Sequence, residues 1–558
     1  MNMLNEPGMA SETTSPSSLL TDNLPLLAGT PNGIQKLREL ILELAVRGKL
    51  VPQDPNDEPA SELLKHIAEE KARLSTRGEL KKQKALSADE AEEPFELPHG
   101  WSWVRLGEIT EASTGHAFKS SEYKTVGTFV LRVTNIKPDG SIDLSDCKYI
   151  DSSEAMSTYS SVLLKQHDIL LVMVGGSLGK IGVVDGSCLP AVLNQNMWKM
   201  FRSEFLSKDY FVFGLKFINS TQLKITSSTH GHLAQGDYLS KLFPLAPLAE
   251  QHRIVAKVDE LMALCDRLEA QQADAESAHA RLVQALLDSL TQASDADDFA
   301  ASWQRLAEHF HTLFTTESSI DALKQTLLQL AVMGKLVPQD PNDEPASELL
   351  KRITMERING EGSRRSKRQV ELSEIDGSEK KFELPVGWEW VRLQQIVSVT
   401  SGDGLVSAKM NPEGSVPVYG GNGITGYHDR QNVEKETLVI GRVGYYCGSI
   451  HLTPASAWVT DNALIVSFSE ENLDKSFLFW LLKGTNLKEL ENATAQPVIS
   501  GRKIYPIVLA IPPLAEQPRI VAKLNQLMAL CDQFKARLTQ ARQLNEQLAT
   551  ALVEQAVA

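Results

Sequence analysis

The chain contains the same sequence twice, and this duplication constrains its fold more than any other feature. Residues 44–65 read LAVRGKLVPQDPNDEPASELLK, and residues 330–351 repeat them with one change, Arg47 against Met333. The residues between the shared segments differ. The chain is therefore predicted to be a pseudo-twofold internal repeat, in which one frame carries two unlike inserts. Two further segments recur in the same order: FELPHGWSWVRL (95–106) as FELPVGWEWVRL (382–393), and PLAEQHRIVAKVDELMALCD (247–266) as PLAEQPRIVAKLNQLMALCD (513–532).

The bulk composition is that of a soluble protein with several domains. The 558 residues contain 42% hydrophobic and 23% charged residues, and no run of 18 apolar residues predicts a membrane span. No Lys or Arg precedes Lys36, so no secretory signal peptide is predicted. The five cysteines show no CxxC spacing, which favours a reduced, cytoplasmic setting. Cys265 and Cys531 occupy equivalent repeat positions and are predicted to be small core residues.

The net charge of −15 argues against nucleic-acid binding if the chain is taken as a whole, but the charge is not spread evenly along the sequence. Residues 105–245 contain 14 basic and 13 acidic side chains, and residues 391–511 contain 10 basic and 11 acidic ones. The negative surplus therefore lies outside the inserts. Neutral inserts on an acidic frame do not establish DNA binding, but charge no longer excludes it.

Each half begins with short helices and continues into an insert of mixed character. Apolar helices are predicted at Gln35–Val46 and Leu323–Val332, ended by Gly48 and Gly334. Pro59 and Pro345 precede a second predicted helix in each half. Strands in the inserts are predicted at Phe129–Val133, Ile169–Val174, Ile181–Val184, Val416–Tyr419, Thr437–Ile440 and Ala463–Phe468, with a helix at Phe477–Leu482.

A long amphipathic helix closes each half. Apolar positions step by 4 and 3 from Ile254 to Leu286 and from Ile520 to Leu552, which predicts a heptad seam. Two such helices related by a twofold axis would run antiparallel and pack on each other as a coiled coil. His279 and Asn545 interrupt the seams at matching places and are predicted to set the register. Phe299–Phe314 is predicted as an extra helix without a counterpart in the first copy.

The sequence predicts no catalytic site. Gly421-Asn-Gly423-Ile-Thr-Gly426 has the GxGxxG pattern, but a turn and a strand follow it rather than the helix that a dinucleotide site needs. The loop from Val174 to Lys180 lacks the first Gly and the final Ser or Thr of a P-loop. HExxH and Cys/His metal clusters are missing from the sequence, and no GxSxG nucleophile elbow is predicted. The chain is therefore predicted to be non-catalytic.

Two divergent inserts on a duplicated helical frame resemble the specificity (S) subunit of a type I restriction–modification enzyme. The resemblance extends from about residue 33 to the end of the chain. Its motifs are LPxGWxWVRL at the start of each insert, LRVTNI (131–136), GSLGK (176–180), NQN (194–196), PVYGGNGITGYHD (417–429), GRVG (441–444), TDNA (460–463), and PLAEQxRIVAK before each long helix.

This resemblance implies an α+β fold with two globular mixed α/β target recognition domains separated by long antiparallel helices. Each domain would read one half of a bipartite, asymmetric site in double-stranded DNA, and the helices would set the gap. The subunit would bind two modification (M) subunits, which carry S-adenosylmethionine and methylate adenine. Restriction (R) subunits, which use ATP and Mg, would complete the complex. This chain would carry no cofactor and no metal, and would not contact a membrane.

The resemblance also divides the chain into segments. A disordered tail is expected at 1–32, the first helical frame region and linker at 33–94, and target recognition domain 1 at 95–246. The first long spacer helix would span 247–293, and a central helical repeat and linker 294–381. Target recognition domain 2 would span 382–512, and the second long spacer helix 513–558.

The resemblance implies that candidate DNA contacts lie at its motif positions, where polar side chains stand beside glycines and the backbone can approach a groove closely. Frame residues such as Gln53, Glu250, Gln339 and Glu516 are interpreted as packing or M-subunit docking residues. The candidates in the first insert are Arg132, Asn135, Ser177, Lys180, Asn194, Gln195, Asn196, His230 and Gln235, and those in the second are Tyr419, Asn422, Tyr427, His428, Arg442, Tyr445, Asp461, Asn462, Gln496 and Arg502.

Two other functions stay open from the sequence. A non-catalytic coiled-coil scaffold that binds two different protein partners would also need unlike inserts, and the acidic total favours it slightly. A self-contained enzyme is disfavoured by the missing motifs. DNA binding at physiological salt with competitor DNA would separate the first of these from DNA recognition.

Overall fold

The structure is a computed structural model that describes residues 29–30, 32–80, 93–223, 233–360, 374–444, 446–485, 487 and 498–557. The chain divides into two compact units. The first unit contains residues 1–273 and 542–558, and the second unit contains residues 274–541. The expected tail at 1–32 lies outside the described residues except for positions 29, 30 and 32.

The described elements alternate between helical frame segments and strand-rich inserts. The helices are α1 (Gly33–Val46), α2 (Ala60–Thr76), α3 (Leu106–Ile109), α4 (Ser152–Ser157), α5 (Lys208–Thr221), α6 (Gln235–Leu239), α7 (Leu248–Thr291), α8 (Ala296–Glu308), α9 (Phe310–Leu313), α10 (Glu317–Val332), α11 (Ala346–Gly360), α12 (Leu393–Ile396), α13 (Lys475–Gly484), α14 (Gly501–Ile504) and α15 (Glu516–Val557). The strands of the first insert are β1 (Ser102–Arg105), β2 (Ala112–Thr114), β3 (Thr128–Leu131), β4 (Tyr149–Ile150), β5 (Ile169–Val172), β6 (Ile181–Val183), β7 (Ala191–Leu193), β8 (Met197–Met200) and β9 (Leu242–Leu245). Those of the second are β10 (Glu389–Arg392), β11 (Val397–Ser401), β12 (Val416–Gly420), β13 (Gly423–His428), β14 (Leu438–Gly441), β15 (Ile450–Leu452), β16 (Trp458–Val459), β17 (Ala463–Phe468) and β18 (Val508–Ile511).

The two inserts share one sheet topology despite their unlike sequences. The first insert has a four-stranded sheet in the order β2-β8-β5-β6, and the second has β11-β17-β14-β15. Each also has a three-stranded sheet, β4-β3-β7 or β13-β12-β16, with one parallel pair in it. A two-stranded antiparallel ribbon, β1-β9 or β10-β18, closes each insert. This confirms the predicted α+β fold with two mixed domains, and each predicted strand is present with ends shifted by a few residues at most.

The frame sequences fold in the same way in both units because their apolar residues repeat. In the first unit, Leu37, Ile41 and Leu44 of α1 are buried, and Leu323, Leu327 and Leu330 of α10 are buried in the second. Removing such a leucine side chain costs about 2–5 kcal/mol. Gly48 and Gly334 follow these helices with φ of 67° and 72°, the left-handed conformation that ends a helix at little cost in glycine. These helices and their glycine ends were predicted correctly.

A buried carboxylate joins the frame to the start of each long helix. Glu250 accepts hydrogen bonds from the indole of Trp101 (2.9 Å) and the amide of Gln53 (3.2 Å). Glu516 accepts the same bonds from Trp388 (3.0 Å) and Gln339 (3.3 Å). Burial raises the pKa of both carboxyl groups, and the indole bonds oppose that rise. The frame residues Gln53, Glu250, Gln339 and Glu516 therefore have packing roles, each within its own unit.

The two long helices, α7 and α15, belong to both units. α7 begins in the first unit and ends in the second, whereas α15 begins in the second and ends in the first. Cys265 and Cys531 are buried on them, as predicted.

The prediction of an unbroken heptad seam is wrong in the middle of each helix. Residues 269–278 of α7 are exposed, and beyond them the buried positions are Val283, Leu287 and Leu290 while Leu282 is 52% exposed. In α15 the predicted seam residue Leu548 is 48% exposed. A heptad pattern identifies an apolar stripe but not the neighbour that covers it, and here short frame helices cover its ends.

The two polar seam residues do not have the predicted register-setting surroundings. Asn545 is exposed, and the His279 ring lies 3.2 Å from the carbonyl oxygen of Thr312 near the surface. The predicted helix Phe299–Phe314 is two helices, α8 and α9, separated at His309. Among the described residues, no helix has the length and apolar character needed to cross a membrane.

Candidate nucleic-acid interface

Loops gather at one edge of the four-stranded sheet in each insert. Neighbouring strands are antiparallel, so the end of β2, the end of β5 and the start of β8 lie at the same edge. We call residues 115–119, 173–180 and 194–196 the first loop edge. By the same topology, residues 402–406, 442–449 and 460–462 form the second loop edge, with Tyr445 outside the described residues.

Backbone hydrogen bonds hold the first loop edge together. The amide of His116 donates to the Leu193 oxygen (2.9 Å), and the amide of Gln195 donates to the His116 oxygen (2.8 Å). The amide of Met173 donates to the Asn196 oxygen (3.0 Å), and Leu233 donates to the Met173 oxygen (2.9 Å). Three loops that are far apart in sequence therefore form one continuous ridge.

The second loop edge has three of these four bonds at matching positions. The amide of Asp403 donates to the Val459 oxygen (3.0 Å), as His116 does to Leu193. The amide of Arg442 donates to the Asn462 oxygen (2.8 Å), as Met173 does to Asn196. The amide of Ile499 donates to the Arg442 oxygen (2.8 Å), as Leu233 does to Met173. The sequences NQN and TDN are thus structural equivalents, with Gln195 matching Asp461.

Glycines allow these loops to approach each other closely. A Cβ atom on Gly115 would lie 2.0 Å from the Asn194 oxygen, and one on Gly402 would lie 2.2 Å from the Val459 oxygen. No side chain fits at either place. Gly179 and Gly448 close the β5–β6 and β14–β15 turns with φ of 81° and 86°, which favours glycine at both.

Most candidates of the first loop edge are accessible and unbonded. Gln195 and Asn196 are exposed, and Ser177 and Lys180 are half-buried. Within the described ranges, none of these four side chains has a hydrogen-bond partner in the protein. The Asn194 amide donates to the Tyr123 hydroxyl (3.3 Å) and fixes its loop. Such free donors and acceptors can bind the edges of bases.

Arg132 and Asn135 have structural roles instead. The Asn135 side chain is buried and donates to the oxygens of Asp143 (3.0 Å) and Asp146 (3.1 Å). The Arg132 guanidinium pairs with the Asp146 carboxylate at 2.9 Å. These bonds close the excursion at 132–148, which replaces the two-residue turn Gly421-Asn422 of the second insert. Gln235 bonds the Ala112 oxygen (2.7 Å) and anchors α6 beside the edge.

In the second loop edge, Arg442 links the loops while the neighbouring side chains stay free. Its guanidinium donates to the Asp461 oxygen (3.1 Å) and the Ser401 hydroxyl (3.3 Å). Asp461 and Asn462 are exposed, and their side chains form no hydrogen bond with the described residues. Asn422 is exposed in the β12–β13 turn, whose Gly421 oxygen accepts from the Ser449 hydroxyl (3.0 Å).

The other candidates of the second insert lie in different surroundings. Tyr419 is buried in the core, its hydroxyl lies 3.4 Å from the Leu452 oxygen, and burial raises its pKa. His428 packs edge-on against Trp458 with ring centres 5.3 Å apart. Tyr427 is exposed on β13 opposite Pro417, and Arg502 is exposed in α14. His230, Tyr445 and Gln496 lie outside the described residues.

Sequence reasoning missed His116 and Lys119 in the first loop edge and Asp403 in the second. The signal was a glycine shared after the first strand of each sheet, in Ser113-Thr114-Gly115 and Thr400-Ser401-Gly402. With these residues included, the first loop edge carries Lys119 and Lys180 and no carboxylate. The second carries Arg442, Asp403 and Asp461. The two loop edges therefore carry different charges although their backbones are arranged alike.

The described side chains at these edges do not form a metal site. Among the described residues, no group of three or more His, Cys, Asp or Glu side chains is placed to hold a metal ion. The GxGxxG segment at 421–426 forms the turn and second strand of a hairpin, and β14 rather than a helix is the next element after it. The two inserts therefore present two surfaces that share one backbone arrangement and differ in their exposed side chains.

Comparison with known proteins shows the family to which this chain belongs. Residues 98–276 and 385–542 each match the family described as the type I restriction modification DNA specificity domain. The EcoAI specificity subunit of the type I restriction enzyme of Escherichia coli is 35% identical over 94% of both chains. The EcoEI specificity subunit, also from Escherichia coli, is 34% identical over 94% of both chains. The chain belongs to the family of type I restriction–modification specificity subunits, the non-catalytic recognition subunits of these enzymes.

A solved structure shows a similar fold. It comes from work on complex assembly and conformational transition of the type I R-M system, and it covers 83% of this chain and 99% of its own. The TM-score is 0.50 at 19% sequence identity. At this identity the likeness concerns the fold alone.

Proposed function

We propose that this subunit reads a bipartite, asymmetric site in double-stranded DNA, one half with each loop edge. The observation that carries the proposal is the pair of loop edges, with matching backbone bonds but different exposed side chains. Matching backbones would present side chains to a major groove in the same way, and different side chains would select different bases. Family membership supports DNA as the ligand.

The proposed reading groups are the accessible ones. In the first insert they are Ser177, Lys180, Gln195 and Asn196, with His116 added. In the second they are Asn422, Asp461 and Asn462, while Arg442 positions its loop and contributes charge. Asn135 and Tyr419 are left out because their side chains are buried and bonded within the protein.

The long helices are proposed to set the gap between the half-sites. α7 has 44 residues and α15 has 42. At about 1.5 Å per residue the helices are roughly 63–66 Å long, which exceeds one DNA turn of about 34–36 Å. A fixed helical spacer would make the unread gap constant and independent of the bases in the halves.

The chemistry is proposed to come from partner subunits. Two M subunits would hold S-adenosylmethionine and methylate an adenine in each half after flipping it out of the duplex. R subunits would use ATP and Mg for cleavage, and the complex would act in the cytoplasm. This chain contributes recognition and assembly, and its own residues perform no step of the reaction.

A domain exchange tests the proposal. Residues 105–245 are replaced with the insert of a relative of different specificity, and methylated sites are mapped across the host genome. One half of the methylated sequence is expected to change while the other half and the gap stay the same. A change in both halves, or in neither, would overturn the assignment.

A second variant tests the spacer separately. One heptad is added within the exposed stretch 269–278 of α7, together with one within the exposed residues 543–545 of α15. The gap is expected to lengthen while both half-sequences are kept. A shifted gap with altered half-sequences would contradict the separation of reading and spacing.

A further inference from the structure

The second loop edge carries a carboxylate where the first has a neutral amide. Asp461 occupies the position that corresponds to Gln195, and its side chain is exposed. Within the described part of the chain, this carboxylate accepts no hydrogen bond and forms no ion pair. The other carboxylate of the edge, that of Asp403, accepts a hydrogen bond from the Asn432 amide at 3.0 Å. Asp461 is therefore the acid of this edge whose carboxylate is left to a ligand.

The residues around Asp461 hold its backbone and leave its carboxylate open. The Arg442 guanidinium donates to the backbone oxygen of Asp461 at 3.1 Å and not to its carboxylate. Gly404 is a neighbour without a side chain, and a Cβ atom placed there would lie 3.9 Å from Oδ2 of Asp461. The carboxylate is thus held in position through its backbone, and no side chain at Gly404 covers it.

A carboxylate on a surface that faces DNA is unfavourable unless it meets a hydrogen-bond donor. DNA carries about one negative charge per 1.7 Å of duplex, and an ionised carboxylate can only accept hydrogen bonds. In the major groove, N7 and O6 of guanine, N7 of adenine and O4 of thymine are acceptors as well. The donors there are the exocyclic amino groups, N6 of adenine and N4 of cytosine. These amino groups are therefore the groups that Asp461 can bind in a major groove.

We propose that Asp461 determines specificity by accepting a hydrogen bond from one exocyclic amino group, of adenine or of cytosine, in the half-site that the second insert reads. Each base pair carries such an amino group on one strand, so the contact distinguishes adenine from thymine or cytosine from guanine at that position. Gln195 can both donate and accept and has no such restriction. The inference rests on the proposed DNA reading and adds the chemical group that one residue recognises.

Removal of single amino groups from the DNA tests the contact. The full-length chain, purified with its partner subunits, is titrated with sites in which one adenine is replaced by purine or one cytosine by pyrimidin-2-one. Each analogue lacks the amino group of the base that it replaces. In the half that the domain exchange leaves unchanged, one replacement is expected to weaken binding roughly 5- to 150-fold through loss of this contact. A loss with purine identifies adenine as the base, and a loss with pyrimidin-2-one identifies cytosine.

Variants of Asp461 assign that loss to the carboxylate. Asp461→Ala should bind the analogue and the natural base at the affected position nearly equally, whereas analogues at other positions should weaken binding of variant and parent alike. Asp461→Asn adds a donor and should therefore also accept guanine or thymine at the affected position. The control is Glu413→Ala, which removes an exposed carboxylate of the same insert outside the loop edge and should behave as the parent chain does.

The possible outcomes separate this inference from the proposed function. If every amino-group replacement in that half weakens binding of the parent and of Asp461→Ala equally, the carboxylate reads no amino group, and the inference is overturned while DNA reading stands. A dependence on Asp461 found in the other half would overturn it as well. If the parent shows no base preference in that half, the proposed function fails together with the inference.

Discussion

The two inserts show how one scaffold can carry two different recognition surfaces. Their four-stranded sheets have the same strand order, and the bonds of His116, Met173 and Leu233 in one correspond to bonds in the other. The side chains on those backbones differ: Gln195 matches Asp461, and Met173 matches Arg442. Backbone bonds and glycine contacts keep the shape, which leaves the exposed positions free to diverge.

The unlike side chains also show which bonds stabilise each loop edge. The second loop edge is tied by the Arg442 guanidinium, whereas the first has the buried Met173 at that place and an Asn194–Tyr123 bond elsewhere. Each edge therefore has its own weak point. A substitution that breaks a shared backbone bond or glycine contact should impair DNA binding in whichever edge carries it. A substitution of a residue found in only one edge should impair that edge alone.

The largest effect is expected from filling a shared glycine contact. Gly115→Val would force a side chain into the Asn194 backbone, separating two segments of the first loop edge. A clash of this kind costs about 3–5 kcal/mol, so cognate DNA binding should fall at least 100-fold in a titration at fixed salt. Gly176→Ala is the control, because a Cβ there has nothing within 4 Å. Equal losses in both variants would show that the edge does not depend on this contact.

A smaller effect is expected at the link that only the second edge possesses. Arg442→Met removes guanidinium bonds to the Asp461 oxygen and the Ser401 hydroxyl. Bonds from a charged donor are worth about 1.5–3 kcal/mol, so affinity should drop roughly 10- to 100-fold, and Arg442→Lys should lose nearly as much because the planar fork is lost. Arg430→Met, an exposed arginine of the same insert, makes the same charge change and serves as control. Full rescue by lysine would mean that charge alone matters.

The reading positions should give the most selective effect. Gln195→Ala and Asp461→Ala each remove one exposed group that forms no bond inside the protein, so stability should hardly change. Loss of a good base contact reduces discrimination by about 1–3 kcal/mol. Selection from DNA randomised in one half at a time should show relaxed preference at one position, in a different half for each variant. Relaxation in the same half for both would contradict the equivalence of the two edges.

The frame could be predicted from the sequence, whereas the loop edges could not. Near-identical repeats fix α1, α10 and the glycines that end them, because local sequence determines those features. The equivalence of Gln195 and Asp461 depends on backbone contacts between distant segments, and these contacts do not require similar sequences in the two inserts. Asn135 and Tyr419 were assigned to DNA because polar residues beside strands look accessible in a sequence, but both are buried. The heptad seam failed near Leu282 because periodicity does not specify which neighbour covers a helix.

The smallest effect concerns the single difference in the frame repeat, Arg47 against Met333. The Arg47 guanidinium lies 4.8 Å from the centre of the Phe95 ring, which meets Phe217 edge-on at 5.6 Å. In the second unit, Met333, Phe382 and Gly484 of α13 all line one open cleft of about 1880 Å³.

Arg47→Met should therefore lower the stability of the first unit by about 0.5–1 kcal/mol, a shift of roughly 1–4 °C in its Tm. A double-mutant cycle with Phe95→Leu isolates the ring contact from the Arg47–Glu43 ion pair, whose atoms lie 2.9 Å apart. Met333→Arg should leave the Tm nearly unchanged. Phe382 and Gly484 cannot form the edge-on aromatic pair that Phe95 and Phe217 form in the first unit, so the new arginine would lack that support. A coupling energy of zero between Arg47 and Phe95 would mean that the repeat diverged here for a reason unrelated to the stability of the frame.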